Sequence, residues 1–317
     1  MKRIIIGCPY KGLDSLLSAL KGLAGKTATI LDTDTIVALD SEFIFVGEKF
    51  EKLKITDFNA SYIRYPYDLI PPHTQTFSRR ENTEFLKTLA ILFSDVAIND
   101  FSSGVITRNR IYSLQVAHRC GLDTPLSIAI NHTTDGKFLF DQMHGNILSK
   151  ALGNCYYAER LDNETEFIRG HVEAAEDGGE KAYIYPAHTI KNQNGINEYI
   201  ENFRLLFLQN FIAGQEFRIY LIGRKFFIYE RYADSRDDKS PNQLLATKMS
   251  LPDLVKNNLF ALLKKFKLNY LCIDAIIETV SKKFVVIDIN PFGSLPKYHI
   301  HPEPTDQLAN YILNYKT

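Results

Sequence analysis

The sequence predicts a mixed fold, an α/β layer followed by an antiparallel α+β body, and three observations carry that prediction. Short apolar strands alternate with amphipathic helices up to about residue 100. Strand-rich segments joined by turn signals dominate the remainder. A chain of 317 residues is also long enough for two or three packed domains.

Composition bounds the function before any motif is read. Hydrophobic residues make up 45% and charged residues 23%, which gives material for a core without a membrane composition. Lys+Arg and Asp+Glu each number 37, so net charge gives no support for nucleic acid or an anionic membrane as partner. No apolar run approaches the ~20 residues of a membrane span. The Ile4-Ile5-Ile6 run is broken by Gly7, Pro9 and Lys11, too early for a signal peptide. Cys8, Cys120, Cys155 and Cys272 form no C-x-x-C pair, and Cys8 and Cys272 sit in apolar runs. Buried thiols in a reducing, cytoplasmic setting are expected.

The elements follow in order. Arg3 to Cys8 reads as a buried parallel strand ended by Gly7 and Pro9. Leu13 to Leu23 spaces its leucines as a helix, and Thr27 to Leu31 returns to strand. Phe43 to Val46 and Ser61 to Arg64 read as further strands of the layer. Glu81 to Phe93 is helical through Phe85, Leu86, Leu89 and Leu92, and Asp95 to Asn99 reads as a strand. Asn109 to Cys120 predicts a helix stopped by Gly121. Leu126 to Asn131 and Ile147 to Leu152 are strands, the second carrying Lys150. Glu173 to Glu180 reads as a loop or helix end. Phe203 to Phe211, Glu216 to Gly223 and Lys225 to Tyr232 are strands, with a hairpin turn at Gly223-Arg224 and a charged loop over Ala233 to Pro241. Leu251 to Phe266 is an amphipathic helix, Asn269 to Glu278 and Lys283 to Ile289 form an antiparallel hairpin, and Thr305 to Tyr315 is a closing helix.

The sharpest chemistry lies in Asp288-Ile289-Asn290-Pro291-Phe292-Gly293. Strand alternation puts Asp288 and Asn290 on one face. Asp274, inside the apolar run LCIDAII, needs a partner because an isolated buried acid costs several kcal/mol. Pairing of the two strands would set Asp274 beside Asp288, a hard-oxygen set suited to Mg²⁺. The competing reading has Asp288 and Asn290 capping a strand end, with Asp274 ion-paired elsewhere.

Basic residues offer charge for phosphate. Lys150 lies among apolar neighbours and reads as facing an enclosed site, or as a snorkelling edge lysine. Arg218 shares a strand face with Glu216, so a Glu–Arg pair is the plain alternative to a substrate role. Arg231 and Arg236 flank the charged loop, where a guanidinium fork can hold a phosphoryl oxygen or simply be solvated. His299 and His301, just after the acidic cluster, could touch the site or belong to a surface loop, and the loop is the favoured reading. The chain has no Walker-type loop, G-x-G-x-x-G, H-E-x-x-H or G-x-S-x-G.

Taken in order, these segments resemble the ATP-grasp superfamily, notably its ribosomal-protein glutamate ligases and microviridin-type (graspetide) peptide-cyclising ligases. The residues that carry the resemblance are Asn99, NRIYSLQVAHRCGLDTPLSI (109–128), Lys150 in ILSKALG, LQNFIAGQEFRIYLIG (208–223), Asp234-Ser235-Arg236, LCIDAII and VVIDINPFG, with Tyr62-Ile63-Arg64-Tyr65-Pro66 as a peptide-cyclase-like element. The resemblance implies three parts, an N-terminal α/β domain (1–100), a central subdomain (101–200) and a C-terminal subdomain (201–317), the last two clamping ATP. It implies a backbone adenine hinge over Gln209, Asn210, Phe211 and Ile212, with Glu216 at the ribose and Lys150 at phosphate and adenine. Arg218 would serve the acyl-phosphate region, with Arg231 and Arg236 beside it, and Asp274, Asp288 and Asn290 would hold Mg²⁺. Arg110 stands where the family usually has a phosphate-binding Lys, and Asp288 where Glu is commonest.

The activity implied is ATP-dependent joining of a carboxylate to an amine or hydroxyl through an acyl phosphate, with ADP and phosphate released. Asn154 to Gly179 would supply a lid. The expected cofactors are ATP and Mg²⁺, and the expected partner is a peptide, protein or small carboxylate, with a homodimer left open. Ligation of a small amino acid or dipeptide, a related kinase, and a catalytically degenerate nucleotide-binding protein are the alternatives.

Overall fold

The computed structural model describes residues 2–7, 13–33, 36–47, 51–64, 77–131, 140–143, 147–150, 156–158, 172–174, 181–184, 188–190, 205–231 and 244–316. The chain begins β1 (Lys2–Gly7), α1 (Asp14–Ala24), β2 (Ala28–Asp32), β3 (Ile36–Leu39), β4 (Phe43–Val46), β5 (Glu51–Lys54), β6 (Ala60–Ile63) and α2 (Phe77–Leu92). Strand β1 pairs in parallel with both β2 and β6. Its isoleucines are fully buried because each face is covered. Ile4 and Ile6 pack with Leu16 and Leu20 of α1, and Ile5 packs with Leu86 and Leu89 of α2.

Two expectations for this region are corrected. Phe43 to Val46 does not join the parallel layer; β4 lies between β3 and β5 in a separate antiparallel sheet. The turn at Asp40 explains it. That carboxylate accepts from the backbone N–H groups of Glu42 and Phe43, closing a hairpin where a parallel pairing would need a long crossover. Asp95 to Asn99 is likewise not a strand. The N–H groups of Val96 and Ala97 are used in a 3₁₀ turn over Ser94–Val96, leaving only isolated bridges at Ala97 and Asn99.

A short helix, α3 (Phe101–Thr107), precedes α4 (Arg110–Arg119). Asp100 and Asn109 cap them by accepting from the N–H groups of Ser103 and Tyr112, and Gly121 stops α4 at φ +84°. Burial works against the Asp100 charge, but hydrogen bonds from Ser102 and Ser103 outweigh it and hold its pKa below the ordinary value. Then follow β7 (Ser127–Asn131), β8 (Ile147–Lys150), β9 (Tyr156–Ala158), β10 (Val172–Ala174), β11 (Lys181–Ile184), β12 (His188–Ile190) and β13 (Leu205–Asn210). They form sheets ordered β12-β8-β13-β7 and β10-β11-β9. Glu173 and Ala174, read as loop, pair with β11 instead; the partner strand supplies backbone bonds that local polarity does not reveal.

The C-terminal part contains β14 (Gly214–Ile222), β15 (Lys225–Arg231), β16 (Leu244–Ala246), α5 (Asp253–Lys265), β17 (Tyr270–Glu278), β18 (Phe284–Asn290) and α6 (Glu303–Leu313). The sheet runs β16-β15-β14-β17-β18, all antiparallel. Gly223, at φ +58°, makes the expected two-residue turn, with Ile222 opposite Lys225. One face of this sheet is apolar: Ile219, Leu221, Leu271, Ile273, Ala275, Val286 and Ile289 pack under α4 and α5. The other face is divided. Tyr220, Ile222, Tyr229, Tyr270 and Cys272 pack against β1, α1, β6 and α6, joining the first layer to this one in a single core. Further along the same face the side chains turn ionic.

The candidate active site

That ionic end is built by strand register. Arg218 and Glu216 lie two and four residues before Tyr220 on β14, Arg231 lies two after Tyr229 on β15, and Asp274 two after Cys272 on β17, so all share one face. Asp274 stands directly opposite Asp288, and Cys272 opposite Asn290. Between Asp274 and Ala275 the register shifts, leaving Ile287 as the extra residue of a bulge. The bulge lets Val286 and Ile289, three residues apart, both enter the apolar core while Asp288 and Asn290 turn to the ionic face.

The charges alternate across the sheet. Arg218 Nε and Nη2 donate to Asp274 Oδ1 and Oδ2, both at 2.8 Å. Arg231 Nη1 donates to Glu216 Oε1 at 2.8 Å and lies 3.9 Å from Asp274 Oδ2. Arg110, from the first turn of α4, donates through Nε to Asp288 Oδ1 at 3.2 Å. Burial opposes the Arg218 charge, but Asp274 more than offsets it, so its pKa stands well above the ordinary guanidinium value. The pairing Glu216–Arg218 considered from sequence does not form; each residue has a different partner across the sheet.

Asn290 is held in a turn. Its Oδ1 accepts from the backbone N–H of Phe292 at 3.0 Å. Gly293 is required here, because a Cβ would sit 2.1 Å from Cys272 Cβ. Burial pushes the Cys272 thiol up to about 12. Asn99, nearly buried, spends its whole amide on this corner: Nδ2 donates to the carbonyls of Tyr270 and Pro291, and Oδ1 accepts from the N–H groups of Asn269 and Tyr270.

A second polar group lies on the β12-β8-β13-β7 sheet. Lys150, at the end of β8, donates to Gln209 Oε1 at 2.7 Å, and Gln209 Nε2 donates to Ser127 Oγ at 3.2 Å. Asn210 ends β13 with a buried Oδ1 that has no hydrogen-bond partner among the described residues. Phe211 and Ile212 are half-buried and lead into β14, so the two polar groups are joined by one short connection.

Asp234, Ser235 and Arg236, Tyr65-Pro66, Cys8 and Cys155 lie outside the described residues, as does most of the 154–179 segment. His299 is exposed. His301, partly buried in the irregular segment before α6, packs its ring 4.6 Å from Tyr229 and bonds the Leu244 carbonyl. Arg64 stood out in the sequence only as part of the Tyr62–Pro66 element, and Tyr220, Tyr270 and Ser294 had no assigned role, although the structure gathers all four at the Asn290 turn. The usable signal was a polar or phenolic group inside an apolar strand. Among the described residues no three His, Cys, Asp or Glu side chains gather as a metal cage. Two facing carboxylates and an amide oxygen fit a hard cation that keeps phosphate and water ligands, the habit of Mg²⁺. Among the described residues no helix is long and apolar enough to cross a membrane.

No family model and no curated protein matches the chain. Solved structures do. The macrocyclase MdnC of Microcystis aeruginosa MRC, bound with precursor peptide MdnA, superposes with TM-score 0.71 at 18% identity, covering 98% of this chain and 99% of that one. A RiPP-associated ATP-grasp ligase of Chryseobacterium gregarium, in complex with ADP and a leader and core peptide, gives TM-score 0.70 at 14% identity over 98% and 96%. The ATP-grasp ligase PsnB, complexed with a phosphomimetic variant of its minimal precursor, Mg and ADP, gives 0.64 at 15% over 99% and 98%. With nearly the whole of both chains superposed each time, this protein has the ATP-grasp fold.

Proposed function

We propose that the protein is an ATP-dependent ligase that joins a peptide or protein carboxylate to an amine or hydroxyl through an acyl phosphate. The observation that carries this reading is the ionic face of the C-terminal sheet, with Asp274 opposite Asp288 and three arginines set against acids around them. The peptide and nucleotide complexes of the structural neighbours support the choice of substrate class.

In this reading ATP lies with adenine at the Gln209–Ile212 hinge, and Glu216 meets the ribose. Lys150, oriented by Gln209, contacts phosphate and adenine, and Arg110 meets the phosphate chain. Asp274, Asp288 and Asn290 hold Mg²⁺, which when bound neutralises phosphate charge. Arg218 and Arg231, fixed by Asp274 and Glu216, orient the substrate carboxylate and steady the transferred phosphoryl group; Arg236 is assigned the same task. The carboxylate oxygen attacks the γ-phosphorus and ADP leaves. The amine or hydroxyl then attacks the acyl carbon, loses its proton and expels phosphate. No protein nucleophile takes part.

The test is ADP release on addition of candidate acidic peptides, with hydroxylamine present. Formation of a hydroxamate identifies an acyl phosphate. Mg-ATP binding without ADP release on any carboxylate would instead favour a nucleotide-binding protein, and a stable phospho-product a kinase. Lys150→Ala and Asp288→Asn are each expected to abolish detectable Mg-nucleotide binding, and retention in both would remove the site assignment.

A further inference from the structure

Four consecutive backbone carbonyls after Asn290 are each claimed by a side chain from a different place in the fold. Asn99 Nδ2 donates to Pro291 O at 2.5 Å, Arg64 Nε to Phe292 O at 3.2 Å, Tyr270 Oη to Gly293 O at 2.6 Å, and Tyr220 Oη to Ser294 O at 3.1 Å. Arg64 makes a second contact with the same turn, Nη2 to Ser294 Oγ at 2.7 Å. Phe292 is further seated on α3, where its ring occupies the space a Cβ on Gly104 would fill. A strand end needs no such fixing merely to stop.

The turn's geometry and the aim of Asn290 are one degree of freedom, because Asn290 Oδ1 is bonded to the N–H of Phe292, whose carbonyl Arg64 holds. We propose that Arg64 is a positioning residue for Asn290, through which the parallel β2-β1-β6 sheet sets the geometry of the cation-holding corner. The inference rests on the reading of Asn290 as a Mg²⁺ ligand. Arg64 is 7% exposed at the end of the sheet's β6 edge, and its planar fork spans Phe292 O and Ser294 Oγ together. A lysine ammonium has the charge but not the fork. Residues that orient a metal ligand without touching the metal change metal affinity by about 10–100-fold when lost.

The experiment measures binding of a fluorescent ADP analogue to the full chain, titrated with Mg²⁺ and separately in EDTA. Arg64→Lys is expected to raise the half-saturating Mg²⁺ concentration about tenfold and Ser294→Ala by less, while affinity in EDTA stays at the wild-type value. Ser294→Ala leaves no charge stranded, so it decides the matter should Arg64→Lys not fold. Unchanged Mg²⁺ dependence in the variants that fold, or an equal loss of affinity in EDTA, overturns the proposal. Asn290→Ala is run beside them. If it shifts the Mg²⁺ dependence and the other two do not, only the role of Arg64 falls; if it too is silent, the metal reading of Asn290 falls first.

Discussion

Asp274 is the residue on which most of the ionic face depends, since it receives both arms of Arg218 and lies within reach of Arg231. Removing one partner of a buried pair leaves the other charge uncompensated. Asp274→Asn is therefore expected to lower stability by about 3 kcal/mol, read as a fall in the urea midpoint. Cys272, two residues earlier, gives a pH prediction. Burial raises its folded-state pKa to about 12 from an ordinary 9.0. A raised folded pKa means its contribution is intact below the unfolded value and is lost as pH climbs from about 9 toward 12. Tyr270 acts in the same direction, through burial. The urea midpoint of the wild type should decline above pH 9, and Cys272→Ala should lessen that decline. Residue identity at the site was legible in the sequence, because a lone acid inside LCIDAII demands a partner. Which partner it takes was not, since Arg218 and Asp274 are 56 residues apart and meet only through sheet register.

At the scale of elements, hairpins and capped helices were the legible part. The Gly223-Arg224 turn, the pairing of β17 with β18 and the stop at Gly121 follow from local turn chemistry, and local chemistry is what a sequence displays. The bulge at Ile287 was not legible, because nothing in FVVIDIN distinguishes it from a regular strand. Yet the bulge is what allows Val286 and Ile289 to share a core face. The turn that follows β18 yields two predictions. Gly293→Ala drives a methyl into Cys272 and should cost about 1–3 kcal/mol by overpacking, with Mg-nucleotide affinity falling as the Asn290 turn moves. Asn99→Asp exchanges a donor facing two carbonyls for a second acceptor. Leaving those groups unsatisfied should cost roughly 3 kcal/mol or more, measured by thermal unfolding of the ligand-free chain.

For the molecule as a whole, one core runs from the first strand to the last helix. Ile4, Leu16 and Tyr62 share it with Tyr220, Tyr270 and Leu308. A chain lacking residues 1–100 would present those tyrosines and α6 to water, and is expected to be insoluble when expressed. A ligand that binds only the folded state stabilises it by mass action, so Mg-ADP at 100 times its Kd should add about 2.7 kcal/mol. The thermal midpoint should rise with Mg-ADP and show a smaller rise with ADP in EDTA.

The sequence by itself determined the main strands and helices of the first layer and of the C-terminal sheet, the ATP-grasp resemblance and the residue types at the site, because periodicity, turn chemistry and a charge among apolar neighbours are all local. Asp274 and Asp288, brought together on paper by strand pairing, do stand opposite each other in the structure, with Asn290 opposite Cys272. Only the tertiary structure decided that Arg218 and Arg110 sit on those two carboxylates, and that Arg64, Asn99 and two tyrosines grip the turn after Asn290. The reason is physical. A buried polar group must find a partner, and which partner it finds at this site depends on register and packing between segments as much as 230 residues apart.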